Sequence, residues 1–353
     1  MIYLDYQATT PLAPDALKAM LPWLEQGHAN PHSPHRAGRQ AKAAVEVARD
    51  QVAALLPPSG RVVFTSGATE ALNWAIKGAG GAIVTTAIEH AAVLDTARAM
   101  DRDLTVLPVD GQGLVRSEPV ADGTGLVAAM LVNNEVGTIQ PVATLADAAH
   151  QAGAWMLCDA VQGYGRVAIP DTVDLIALSA HKIHGPKGIG ALWIRDGITL
   201  PPLLHGGDQE GGRSGTLSPA LCAGFGVAAK LMAALADQDA AHIERLWSLA
   251  VERLGPGWTI NGSTERRYHG NLNVRRDRLD VARLMSDCRD IAFSAGSACA
   301  SGSGRPSHVL TALGLTEREA KSSIRLGFGR YTDEVELTDA IDRINAAARA
   351  QGL

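Results

Sequence analysis

Aromatic residues make up only 4% of this 353-residue sequence, and no apolar run reaches the ~18 residues that a membrane-spanning helix needs. A helical membrane anchor is therefore not expected. The opening stretch, MIYLDYQATTPLAPD, lacks the basic head and apolar middle of a secretory signal. Cysteine is scarce too. Cys158, Cys222, Cys288 and Cys299 lie far apart and form no CxxC pair, which argues against a disulfide framework or a zinc finger. Neither sign of charge dominates: 32 Lys and Arg stand against 37 Asp and Glu, for a formal charge of −5. Nothing in that balance points to a nucleic acid or an anionic membrane as partner. A soluble, cytoplasmic protein is the expectation.

What the sequence has in excess is glycine, 37 of 353 residues against an average of roughly 7%, as in a chain with many tight loops. The length allows about two domains, each with a buried core. RVVFTS (61–66), GAIVTTAI (81–88), GLVAAMLV (125–132), WMLCDA (155–160), VDLIALS (173–179) and GALWI (190–194) are continuous apolar runs of strand length. Helical segments such as ATEALNWAIKGA and VATLADAAHQAG separate them, and this alternation predicts an α/β fold with a mostly parallel central sheet covered by helices. Val45, Ala48, Val52 and Leu55 recur three or four apart, the spacing of an amphipathic helix. After about residue 218 one long helical pattern follows, with a possible break near its glycines. Shorter strands and helices after GPGW (255–258) predict a smaller α/β C-terminal domain. The expected division is 15–254 for the large domain, with 1–14 and 255–353 for the small one.

Lys182 follows the buried run VDLIAL, where a lysine is costly without a partner or a task. Three readings are open: a surface lysine, a phosphate-binding lysine or a nucleophilic amine. HGPKGIGAL does not match the GxxxxGK[ST] phosphate loop, and a metal held by His181, His184 and His205 fits poorly around a lysine. Asp159, at the end of WMLCD, is either a solvated cap or an acid holding a proton on a heterocyclic nitrogen. In FTSGATEA a strand turns into a helix, so the backbone N–H groups of Ala68 and Thr69 either donate to a plain cap or face an anion. A phosphate cradle, an acid for a ring nitrogen and a strand-end lysine, in this order along a βαβ chain, together specify pyridoxal 5'-phosphate.

The motifs YLDYQATTPLAP, NPHSPHRAGR, VVFTSGATEALNWAIKG, EHAAVLDT, VNNEVGTIQP, DAVQGYGRV, LSAHKIHGPKGIGAL, RSGT, SAGSACASGSGRPSHVLTALG and SSIRLGFGR are spread along almost the whole chain. They resemble the cysteine desulfurases of the NifS/IscS type, within the class V aminotransferase family. The resemblance implies the aminotransferase-like fold of type I pyridoxal-phosphate enzymes. It implies Lys182 as the Schiff-base residue, Ser179 and His181 at the phosphate, Asp159 on the pyridine nitrogen and Gln162 on the ring hydroxyl. It also implies His90 over the ring and Asn134 near both cofactor and substrate carboxylate. Thr216 of RSGT would reach the phosphate of a neighbouring subunit, and so implies a homodimer. Gln7 departs from the Ser or Asn more often found in its motif. The chain stops soon after its last helical pattern, so the tail by which the housekeeping IscS branch docks its scaffold is not expected.

Among the cysteines, Cys158 and Cys222 sit in apolar elements as small hydrophobes, and Cys288 reads as structural. Cys299 lies in a segment rich in Gly and Ser without large apolar side chains, predicting an exposed loop that carries a thiol into a site and out again. The resemblance makes Cys299 the sulfur acceptor and Arg325 the clamp for the substrate carboxylate, a natural partner for a planar guanidinium. L-Cysteine would then become L-alanine, with sulfur left on Cys299 as a persulfide and passed to an acceptor or scaffold protein. That sulfur would feed iron–sulfur clusters or other sulfur-containing cofactors and tRNA. The nearest rivals are a selenocysteine lyase or another pyridoxal-phosphate enzyme of class V. GYGRVA (163–168) and GFGVAA (224–229) match GxGxxA, but Pro170 cuts off the first and no strand precedes the second. His28, His32 and His35, spaced irregularly between two prolines, are a poor metal set.

Overall fold

The computed structural model describes every residue except 117, 208, 297–305 and 353. In chain order, β1 (Ile2–Tyr3) precedes α1 (Pro14–Glu25), α2 (Arg36–Ala53), β2 (Gly60–Thr65), α3 (Ala68–Gly78), β3 (Ala82–Thr86), α4 (Ala91–Arg98) and β4 (Leu104–Leu107). Then come β5 (Thr124–Met130), α5 (Val142–Gln151), β6 (Trp155–Asp159), β7 (Leu175–Ser179) and β8 (Gly190–Arg195). These eight-plus-five elements hold a seven-stranded sheet in the order β2-β8-β7-β6-β5-β3-β4. Its pairs from β7 through β4 are parallel, and β8 runs antiparallel to both β7 and β2. Helices cover both faces. Val45, Val52, Phe64, Met156, Ile176 and Phe225 pack on one side, and Ala71, Trp74, Ile76, Leu126, Leu157 and Leu192 on the other. A strand covered on both faces loses the alternation of a half-exposed one, which is why β7 is buried at every position.

The remaining elements are α6 (Pro219–Ala234), α7 (Ala236–Leu254), β9 (Thr259–Ile260), β10 (Asn271–Arg275), α8 (Val281–Asp287), β11 (Ile291–Ala292), β12 (Ser294–Ala295), α9 (His308–Ala312), α10 (Glu317–Lys321), β13 (Ser323–Gly327) and α11 (Glu334–Arg349). A four-stranded antiparallel sheet, β12-β13-β10-β9, packs with α7 and α11 around Leu246, Leu272, Ile324, Leu326, Leu337 and Ile341. β1 joins β11 in parallel, so the N-terminus belongs to this second core. No single helix among the described residues is long and apolar enough to cross a membrane.

Two local expectations are corrected. The long helical pattern after residue 218 does not break at its glycines; it turns by 74° at Leu235, between α6 and α7. Gly226 stays inside α6 because that helix lies against α2, where a Cβ would come within 2.7 Å of the Ala48 Cα. The amphipathic helix stops at Ala53, and Leu55 packs on the core from beyond its end. β4 was not apparent in the sequence: it is an edge strand with two of its four residues exposed, and so lacks a continuous apolar run.

Candidate active site

The carboxyl ends of the parallel strands meet where chain direction in the sheet changes, the usual place for a ligand in an α/β sheet. Asp159 ends β6 and Ser179 ends β7. A short 3₁₀ turn, Ala180–Lys182, follows β7 and carries the lysine out of the core. The Lys182 ammonium donates to the backbone carbonyls of Gln7 and Ala8, the latter at 2.8 Å. The N-terminal segment is in turn laced to the lysine turn: Thr10 N–H and Oγ1 both donate to the His181 carbonyl at 2.9 Å, and His184 N–H donates to Thr10 Oγ1 at 2.7 Å. Gln7, whose departure from the motif had no evident meaning in sequence, holds this junction. Its side-chain amide donates to the Gly270 carbonyl at 2.8 Å, and its own carbonyl accepts from Gln162 at 2.9 Å.

Lys182, Asp159, His90, Gln162, Asn134 and Arg325 line one cleft of about 490 Å³. Ala68, Thr69, Ser179 and His181 line it too. α3 begins at Ala68 behind Gly67, with no side chain among the described residues capping its end, which leaves the first-turn N–H groups open to an anion. Ser66 N–H is already taken by Glu70 at 2.7 Å, and Arg213 grips that carboxylate at 2.8 Å. Glycine is required behind this turn: a Cβ on Gly190 would lie 2.3 Å from the Leu178 carbonyl oxygen and 2.7 Å from the Gly67 backbone.

Electrostatics differentiates the groups. Burial pushes the Asp159 carboxyl above its ordinary range, while His90, the Val161 N–H (3.0 Å) and Lys182 pull it down. Such an acid gains from a cationic N–H placed against it. His90 caps α4, its Nδ1 accepting from Ala92 N–H at 3.1 Å, which leaves the proton of the neutral ring on Nε2. Burial first, then Lys182 and Lys187, pushes His181 down to about 4, so it is a neutral ring at neutral pH. Glu89, next to His90 and fully buried, is pushed up to about 8 by burial although Thr86 Oγ1 (2.6 Å) and Met130 N–H (3.0 Å) donate to its Oε1.

Arg325 is 1% exposed and sits on β13, paired with Asn273 on β10 and Ser294 on β12. Its Nη1 donates to the Asn134 carbonyl at 2.9 Å and its Nη2 to Asp5 Oδ1 at 2.8 Å, while Nε has no acceptor among the described residues. Asp5 also accepts from Ser294 Oγ at 2.8 Å. Thr216 is exposed and does not line this cleft. Cys299 and the loop expected around it lie outside the described residues. The loop's flanks are held. Ser294 is tied to Asp5, and Ser307 Oγ donates to the buried Glu135 carboxylate. Asp5, Gln7 and Glu89 were not singled out as site residues in the sequence; their partners are remote or backbone, so no local spacing marks them.

An uncapped helix end for a phosphate, a buried acid for a ring nitrogen and an amine at the floor fit a phosphorylated, aldehyde-bearing pyridine. The fold and the site thus define the pyridoxal-phosphate enzymes of fold type I. A sequence profile described as Aminotransferase class-V matches residues 2–339. The mitochondrial cysteine desulfurase of Saccharomyces cerevisiae is 43% identical over 98% of this chain and 74% of its own length. Cysteine desulfurase IscS of Rickettsia felis is 39% identical over 97% of this chain and 90% of its own. Among solved structures, a NifS-like protein superposes with a TM-score of 0.90 at 32% identity, each chain covered completely. The chain belongs to the class-V aminotransferase family, in the NifS/IscS-type cysteine desulfurase branch.

Proposed function

We propose that the protein converts L-cysteine to L-alanine and takes up the sulfur on Cys299 as a persulfide, using pyridoxal 5'-phosphate. The observation that carries this is a single cleft uniting Lys182, Asp159 and the buried guanidinium of Arg325. When bound, the cofactor supplies an electron sink that acidifies the substrate Cα–H. The α3 N-terminus, with Ser179 and His181, would hold the phosphate, and Asp159 would keep a ring nitrogen beside it protonated. Gln162 would bind the ring hydroxyl, and Arg325 orients the substrate through its carboxylate, with Asn134 lining the same cleft. The Lys182 amine takes the proton from Cα. Nε2 of His90, which lines the same cleft, would supply or accept a proton there. The Cys299 thiolate attacks the substrate sulfur: an S–S bond forms, the Cβ–S bond breaks, and the carbon skeleton leaves as alanine. Cysteine plus enzyme thiol therefore gives alanine plus enzyme persulfide, with no external oxidant.

A homodimer in which Thr216 reaches the partner's cofactor accords with that residue's exposure outside its own cleft. The division at 15–254 against 1–14 and 255–353 accords with the seven-stranded sheet on one side of it and the four- and two-stranded sheets on the other, while α7 before residue 255 packs on the core of the second group. Free, buried Cys158, Cys222 and Cys288 suit a reducing, cytoplasmic setting, and a sulfur-acceptor or scaffold protein would discharge the persulfide. Two variants test the assignment. Lys182→Ala is expected to form no alanine. Cys299→Ser is expected to keep the cofactor's visible absorbance but form no persulfide; undiminished alanine formation by Cys299→Ser would overturn the role of the thiol. Selenocysteine lyase or transaminase chemistry would show itself as turnover that does not need Cys299.

A further inference from the structure

A second cavity, of about 240 Å³, lies between the lysine turn and the small sheet, and its walls carry an imbalance of charge. Arg166, Arg267, Arg330, Asp239, Glu244 and His269 all line it. Two carboxylates are committed: Asp239 to Arg330, with Nε to Oδ1 at 3.0 Å, and Glu244 to His269 at 2.8 Å. Arg166 and Arg267 have no carboxylate partner among the described residues. Arg267 is 5% exposed. Its Nη1 donates to the Asn261 and Ser263 carbonyls at 3.0 and 2.9 Å, its Nε to the Asn271 carbonyl at 3.1 Å, and its guanidinium lies 5.2 Å from the centre of the Trp247 ring. Its Nη2 is buried with no acceptor among the described residues.

A buried cation held only by neutral groups is costly, and an anion beside it recovers much of that cost. Burial alone pushes the Arg267 guanidinium down to about 9, the mark of a charge without a counter-ion. The N-terminus of the 19-residue α7, which no side chain among the described residues caps, adds a positive end, since Ala236 and Ala240 of its first turns line the same cavity. A volume of 240 Å³ corresponds to about eight waters, room for a phosphate or a short carboxylate but not for a nucleotide.

We propose that this cavity is a second, non-catalytic binding site for a small oxyanion, a phosphate or a short-chain carboxylate, held by Arg267 and Arg166. Arg166 connects it to the active site. Its Nη1 donates to the Gln162 carbonyl at 3.2 Å and its Nη2 to the Lys182 carbonyl, so an anion drawing on this guanidinium pulls on the backbone of two cleft residues. The site does not depend on the sulfur chemistry and stands or falls separately from it.

The test is isothermal titration of the cofactor-loaded protein with inorganic phosphate and, in a parallel arm, with acetate. Loaded protein is used because the cofactor then fills the α3 phosphate cradle. One phosphate or one acetate per protomer is expected, and the tighter-bound probe identifies the anion class. Ala240→Phe, an exposed position on α7 that lines the cavity, is expected to weaken that binding at least tenfold while leaving cofactor absorbance and thermal unfolding unchanged. Arg267→Gln is expected to abolish it, but this side chain also braces three carbonyls, so Ala240→Phe is the deciding variant. Failure of both probes to bind, or binding that Ala240→Phe leaves unaltered, overturns the proposal.

Discussion

Glu89 is the residue whose environment is most at odds with its chemistry. Its carboxyl is fully buried and pushed from 4.5 up to about 8, with Asp159 adding to the effect of burial. The folded state therefore binds the proton more tightly than the unfolded chain. Its contribution is unpenalised below about pH 4.5; stability then falls as pH rises towards 8, by up to roughly 4 kcal/mol. Glu89→Gln mimics the protonated acid, so its melting temperature is expected to match the native protein near pH 5 and exceed it near pH 8.5. A difference independent of pH would mean that the carboxylate stays charged throughout. Asp5 is the opposite case, an anion that offsets a buried cation. Asp5→Asn keeps the shape but leaves Arg325 without its counter-charge, and urea unfolding is expected to show a loss of about 2–4 kcal/mol. A loss below about 0.5 kcal/mol, the range of an exposed pair, would contradict a buried role for this ion pair.

At the scale of elements, the legible parts were those buried on both faces. β5, β6 and β7 are nearly continuous apolar runs because helices cover the sheet on both sides, and that composition survives in the sequence without any partner in view. Lys182, Asp159 and the α3 turn were legible because each sits at the end of such a strand. The edge strand β4 and the bend at Leu235 were not, since exposure at an edge and an inter-helix angle are set by neighbours. The close contact of β8 with the Gly67 turn is of the same kind, and it carries an expectation. Gly190→Ala drives a Cβ into backbone atoms that cannot yield, so a loss of at least about 2 kcal/mol and weaker cofactor retention are expected in denaturation and dialysis. Gly80→Ala, which meets nothing within 4 Å, is the control and should lie within about 0.5 kcal/mol of the parent.

Over the whole molecule, the cleft is assembled from parts far apart in sequence. Asp5 meets Arg325 across 320 residues, and Gln7 meets both Gln162 and Gly270. Asn271 and Asn273 on β10 donate to the carbonyls of Asn134 and Glu135, at 3.1 and 3.0 Å, and so fasten the small sheet to the rim of the large one. Pairings of this length leave no periodicity or spacing to read, which is why the strand-end residues that meet in the cleft were legible while Asp5 and Gln7, which tie its walls together, were not. The central claim is sulfur transfer from cysteine to one thiol. The most direct measurement is peptide mass mapping of the cofactor-loaded protein after incubation with L-cysteine in the absence of reductant, with alanine quantified alongside. A 32-dalton increase on the Cys299 peptide alone, matched by one alanine per site, is the result this account requires. Alanine produced with all four cysteines unmodified, or persulfide confined to Cys158, Cys222 or Cys288, would contradict it.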